Sequence, residues 1–189
     1  LLAMLPAGLG RVARLGDGDR TVGILYRQAN PGCRFHDLCW TASWRDEDPP
    51  EGLDCLIYDG VLAHFERPAA TVRRHLDRLA PGGRVLVALP NIQHWAVIEG
   101  LLKGRPVAPE SGGRLPVRLF TLDQALSALS EAGLGGFEIA SCARADQNGA
   151  VLPDAMKAAL RGVGVEPEAF AARSAAHLFV VRTQRQRVE

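Results

Sequence analysis

The residues best placed to do chemistry on a ligand lie between positions 11 and 23, which read Arg11-Val-Ala-Arg14-Leu-Gly16-Asp17-Gly18-Asp19-Arg20-Thr21-Val-Gly23. An apolar strand over Val12–Leu15 runs into Gly16-Asp17-Gly18 and then into a helix opening near Thr21. That order aims backbone N–H groups and a helix N-terminus at a bound group. Gly16, Asp17 and Gly18 are the ligand-contact candidates, although Asp and Gly also favour a tight turn with no ligand present. Arg14 and Arg20 flank the turn, and a guanidinium stays charged at any working pH. Two arginines beside a glycine turn suit an anion such as a nucleotide phosphate.

Further candidates fall at the ends of other predicted strands. Asp37 lies in a short strand over Cys33–Cys39, and Asp59 follows the strand Leu53–Tyr58. His64 comes shortly after. Asn91, His94 and Trp95 follow the strand Arg84–Leu89. His64 and His94 carry imidazoles able to act as general bases near neutral pH, and His64 is also readable as a packed or capping histidine. Asn91 and Trp95 are substrate-contact candidates, with Trp95 also suited to anchoring a helix in the core.

These positions need a scaffold of alternating strands and helices. The pattern predicts a helix end over Leu1–Leu5 and helices over Thr21–Asn30, Pro68–Leu79 and Ile92–Lys103. Thr121 and Gln124 form a capping-box pair that opens a helix over Leu122–Ala132, which Gly133 stops. Helices over Asp154–Arg161 and Pro167–Ala175 separate two last strands, Phe137–Cys142 and His177–Arg182. Pro81-Gly82-Gly83 reads as a turn into the strand Arg84–Leu89. The alternation predicts an α/β fold with a mostly parallel sheet. We expect one domain over residues 1–183, followed by a polar tail over 184–189.

Composition narrows the function classes. Among 189 residues, 47% are hydrophobic and 23% charged, ordinary values for a soluble globular protein. A net charge of +1 gives no reason to expect nucleic acid or an anionic membrane as partner. Cys33, Cys39, Cys55 and Cys142 show no metal-ligand spacing and read as reduced thiols of a cytoplasmic protein. No apolar run approaches the roughly 20 residues of a spanning helix. The chain opens without Met in what reads as a helix end, which suggests a piece of a longer polypeptide.

Four segments together resemble the class I S-adenosylmethionine (SAM)-dependent methyltransferases. They are Val61-Leu-Ala-His64-Phe65, Leu79-Ala-Pro81-Gly-Gly83-Arg-Val-Leu-Val87, Leu89-Pro-Asn91-Ile-Gln-His94-Trp95 and Val117-Arg-Leu-Phe120-Thr121. The resemblance covers nearly the whole chain and implies a three-layer Rossmann-like fold with a C-terminal antiparallel strand. It implies SAM as cofactor, with Gly16, Asp17, Gly18, Asp37 and Asp59 around it. It also implies a small-molecule or sugar acceptor near Asn91 and Trp95, with His64 or His94 as base.

Departures from the family's pattern are as informative. Arg14 stands where the first strand of the family ends in an acid, and Arg20 replaces a glycine. The ribose-binding acid expected at the end of the second strand is replaced by Cys39 or Trp40, with Asp37 two residues early. Pro116 takes the place of a family histidine. Between Cys39 and Asp54 there are 14 residues, too few for the usual helix, strand and loop, because a crossover with its helix alone takes about 10–12. We expect this connection to be reduced, with Asp46, Glu47 and Asp48 forming a solvated acidic run and Trp40 and Trp44 filling vacated volume. Three readings follow. The chain is a methyltransferase-fold binding or interaction module with a degraded cofactor pocket, working on a small molecule or a protein partner; or an active SAM-dependent methyltransferase; or a nucleotide or anion binder.

Overall fold

The computed structural model describes residues 1–16, 19–39, 48–105, 117–143 and 154–185. After a 3-10 turn at Leu2–Met4, the elements are β1 (Arg11–Gly16), α1 (Thr21–Ala29), β2 (Arg34–Cys39), β3 (Leu53–Asp59), α2 (Pro68–Leu76) and β4 (Leu79–Pro90). They continue with α3 (Trp95–Leu102), α4 (Leu122–Glu131), β5 (Leu134–Cys142), α5 (Asp154–Gly162), α6 (Pro167–Ala175) and β6 (Leu178–Arg185). The strands form one sheet in the order β2-β1-β3-β4-β6-β5. β1 to β4 pair in parallel, and β6 runs antiparallel between β4 and β5. The expected α/β architecture is therefore present, and β6 continues through Arg185, two residues beyond the expected domain end.

Strand alternation divides the apolar residues between the two faces of the sheet. Val12, Phe35, Cys55, Ile57, Leu86 and Val180 form one core with Tyr26 of α1. Ala13, Leu15, Leu56, Tyr58, Val85, Val87 and Val181 form the other with Val72 and Leu76 of α2 and Ala125 and Leu129 of α4. Helices on both faces make three layers. Burial pushes the Cys55 thiol up to about 12, which leaves it an inert core group. Among the described residues no helix is long and apolar enough to cross a membrane.

Element ends differ from expectation where backbone pairing competes with helical pattern. α2 stops at Leu76 because Leu79 already pairs with Leu53 of β3. Pro81-Gly82-Gly83 is not a separate turn: it is an irregular stretch within β4, where register shifts between Leu53 and Cys55. Gly82 has φ +77, and a Cβ on Gly83 would lie 2.7 Å from the Leu53 carbonyl oxygen, so both positions require glycine. α3 starts at Trp95, three residues late, since residues Asn91–His94 form a turn closed by His94 N–H donating to Asn91 C=O at 3.0 Å. The α4 capping box is present: Gln124 N–H donates to Thr121 Oγ1 at 3.3 Å and Thr121 N–H to Gln124 Oε1 at 3.1 Å.

The short connection between β2 and β3 is fastened by a group that the sequence analysis did not single out. His75, fully buried on α2, accepts a hydrogen bond at Nδ1 from the Tyr58 hydroxyl at 3.0 Å, and the two rings stack. Burial holds the Tyr58 phenol well above its usual range, so its proton stays on and donates. The other ring nitrogen of His75 faces Asp48 Oδ1 at 3.7 Å. Asp48 also pairs with Arg74 Nε at 3.1 Å and Arg78 Nη2 at 2.9 Å. The expected solvated run is thus corrected at Asp48, which is half-buried among three cationic or imidazole partners. Asp46, Glu47, Trp40 and Trp44 lie outside the described residues.

Burial, with the positive Arg74 and Arg78 nearby, lowers the His75 pKa to about 4 although Asp48 opposes the shift. A neutral His75 in the fold gives a definite pH dependence. The unfolded chain takes up this proton near pH 6.5, whereas the folded one resists it until about 4. His75 therefore favours folding fully above about pH 6.5, loses that contribution as pH falls through the window, and levels off below about pH 4. Urea unfolding between these limits should show up to about 3 kcal/mol of acid-dependent loss. The slope should flatten in His75→Gln, which keeps an acceptor for Tyr58.

Candidate functional site

In an open α/β sheet the ligand crevice lies at the carboxyl ends of the strands, where successive connections depart in opposite directions. Here that point falls between β1 and β3. β1 leads outward to β2, and β3 leads the other way to β4. The ends of the two strands bring Gly16 and Asp59 to this crevice, with Asp37 alongside on β2. Gly16, Asp37 and Asp59 are thus brought together. Asp17 and Gly18 lie outside the described residues.

Arg14 lies across the crevice. Strand alternation turns it to the α1 face together with Asp37, its register partner on β2, and the side chain is 3% exposed. Its Nε donates to Asp59 Oδ2 at 2.7 Å, and Nη2 lies 2.6 Å from the same oxygen. Nη1 donates to the Asp19 backbone carbonyl and stands 3.6 Å from Asp37 Oδ1. All three guanidinium nitrogens are engaged, Nε and Nη2 toward Asp59 and Nη1 toward Asp19 and Asp37. The group also covers Gly16: a Cβ there would lie 2.7 Å from Cζ, 2.8 Å from Nη2 and 2.9 Å from Nη1. These near-equal distances place the flat face of the guanidinium over the glycine.

The carboxylates answer to the same clamp. Asp37 is 11% exposed, and burial raises its pKa despite Arg14, Arg27 and Arg20 nearby. Its Oδ2 lies under α1, where any side chain on Gly23 would overlap both it and the Phe35 ring. Asp37 therefore faces inward, two residues short of the exposed Cys39 at the strand end. Asp19 caps the start of α1 by accepting from Thr21 N–H at 2.9 Å and Thr21 Oγ1–H at 2.6 Å. That pair lowers the Asp19 pKa. Arg20 is exposed at the N-cap of α1, and the group that covers Gly16 is Arg14.

On the acceptor side, the structure gives Asn91 a structural task. Its Nδ2 donates to the carbonyls of Arg173 at 2.8 Å and Ala176 at 2.6 Å, while Oδ1 accepts from Gln93 N–H at 2.9 Å. Asn91 thereby ties the end of β4 to the end of α6, and neither amide proton is left to contact a substrate. His94 is 6% exposed at the N-cap of α3, edge-on to His177 with ring centroids 6.4 Å apart. Trp95 is half-buried at the first position of α3. His64 closes the 3-10 turn Val61–His64, half-buried, with Nδ1 shielded from solvent. Pro116 is outside the described residues. A groove of about 690 Å³ between α2 and α4 is lined by Arg67, Ala69, Arg118, Phe120, Gln124 and Ser127, and includes none of the crevice residues. No group of three or more His, Cys, Asp or Glu able to hold a metal occurs among the described residues.

Comparison with solved structures finds the same fold in methyltransferases. SibL, an S-adenosylmethionine-dependent methyltransferase in its apo form, superposes with a TM-score of 0.56 at 16% identity, over 95% of this chain and 51% of that one. A chain of the complex between the Haloferax volcanii Trm112 methyltransferase activator and the putative methyltransferase gives 0.62 at 15% identity, over 98% and 87%. Geranyl diphosphate methyltransferase in complex with SAM gives 0.57 at 11% identity, over 98% and 83%. At these identities the likeness is one of fold, and the chain spans about half the length of SibL. No protein-family model and no curated protein matches the sequence.

Two substitutions test the local assignments. Arg14→Met should destabilise the chain by about 3–5 kcal/mol in urea unfolding, because Asp37 and Asp59 are left without their shared cation. Asn91→Ala removes three hydrogen bonds and should cost about 2–4 kcal/mol, a loss of stability that precedes any effect on binding.

Proposed function

We propose that this chain, which has the fold of the class I S-adenosylmethionine-dependent methyltransferases, is a non-catalytic binding or interaction module whose cofactor crevice is closed by its own Arg14. One observation carries the reading: a buried guanidinium bridges Asp59 and the Asp19 carbonyl directly over Gly16. A glycine at the end of β1 is useful to a ligand only if the ligand can lie against the backbone. Here that surface is covered. SAM carries an ammonium and a sulfonium, and the two carboxylates that could receive them are already paired with Arg14. The residues present therefore do not fit this cofactor.

The same geometry weighs against an anion site at the glycine turn. Arg14 already faces two carboxylates, and a phosphate would have to displace them or sit beside them. Arg20, exposed at the N-cap of α1, is a single solvated charge. A small molecule or a protein partner remains as the bound species. The comparison complex with a methyltransferase activator makes a protein partner plausible for a chain of this fold.

Calorimetric titration of the purified chain with SAM tests the reading. We expect no saturable heat up to millimolar cofactor. Binding tighter than about 100 μM, equivalent to roughly 5.5 kcal/mol, would overturn it.

A further inference from the structure

Resting on the reading that Arg14 closes the crevice, we propose that Asp37, Asp59, the Asp19 carbonyl and the bare face of Gly16 form a receptor for a planar organic cation, and that Arg14 is its ligand, supplied by the same chain. The site takes a guanidinium-like or amidinium-like group first and a primary ammonium second.

Three observations specify that chemistry. The acceptors surround a plane: Asp59 Oδ2 receives Nε and Nη2 from one edge, and the Asp19 carbonyl receives Nη1 from another. The floor is glycine backbone, with Cζ, Nη1 and Nη2 at 2.7–2.9 Å from where a Cβ would be. Only a flat group fits such a slot, and a guanidinium brings five N–H donors in one plane. The third observation is a mismatch. Among the described residues Asp37 Oδ1 is buried with no hydrogen bond to it, and Arg14 Nη1 stands 3.6 Å away. That distance is an ion pair but too long for a hydrogen bond. Arg14, anchored on β1, stops short of it, and an untethered cation can move closer.

Charge and connectivity then explain why the chain supplies its own ligand. With Arg14 present, one cation meets two carboxylates; without it, both carboxylates lose their partner cation. A tethered ligand acts at an effective concentration that reaches millimolar or higher for short links. A free cation must compete against that. A sulfonium has no N–H to offer either carboxylate, so it competes worst of all. The closure is therefore a competition between cations within an intact crevice, and removing the side chain reopens it for the right one.

The test uses methylguanidinium chloride on the full chain, with sodium chloride matched for ionic strength. Arg14→Ala should melt below the wild type, and millimolar methylguanidinium should raise its melting temperature saturably. Calorimetry should show one site. The wild type and Arg14→Ala/Asp59→Asn should not respond. No saturable binding by Arg14→Ala, or an equal response from the double variant, would overturn the proposal. If Arg14→Ala does not fold, the wild type still decides by nitrogen-15 NMR. The Arg14 Nε–H resonance, assigned by its loss in Arg14→Lys, should exchange slowly with solvent and shift in Asp59→Asn. Exchange as fast as that of the exposed arginines would overturn the clamp itself. SAM binding by the wild type with that resonance still protected would sink the proposed function and leave this site standing.

Discussion

A charge that cannot be neutralised, buried at the end of β1, sets the conditions the surrounding structure must meet. Arginine stays ionised at all working pH values, so Arg14 cannot escape the cost of burial by losing its proton, as a lysine could. Acceptors must come to it instead. They arrive from β3 as Asp59, from β2 as Asp37, and from the segment before α1 as the Asp19 carbonyl. One side chain thus joins three strand ends and the entry of the first helix. The glycines follow from the same need. Gly16 leaves room for the guanidinium, and Gly23 lets α1 settle over Asp37 and Phe35.

The opposite face of the sheet has its own buried polar group, with a different solution. His75 can give up its proton and does, because burial and the two nearby arginines all favour the neutral ring. A neutral ring can accept from Tyr58 on one side and face Asp48 on the other. This matters for the architecture because Asp48 belongs to the short connection that brings the chain from β2 to β3. A full crossover would be held by a helix packed on the sheet. Here the described part of the connection is held by ion pairs to Arg74 of α2 and to Arg78 just beyond it.

Much of this was legible beforehand, and the legible parts share a cause. Helix starts at Thr21, Pro68 and Pro167, and the capping box at Thr121, depend on residues within a few positions of one another. The strands over residues 11–15, 53–58 and 84–89 announced themselves as short apolar runs between turn residues. The less legible parts depend on pairing across the sheet. Leu79 entered β4 because Leu53 was available beside it. Asn91, expected near a substrate, instead ties down α6 through carbonyls more than eighty residues away. Asp48 looked like one of three solvated acids, and nothing local to it indicated Arg74, His75 and Arg78.

The sequence by itself determined the α/β alternation, the glycine turn after β1, and the fact that a permanent positive charge stands where an acid would suit a cationic cofactor. It could not say what that charge does. Arg14 could have reached solvent, held an anion or occupied the crevice, and all three are open to a long side chain with five donors. The sheet register decided. It set Asp37 directly beside Arg14 and brought Asp59 to the neighbouring strand end, forty-five residues along the chain. Burial then made pairing obligatory, since an uncompensated guanidinium in that position would cost more than the fold can bear.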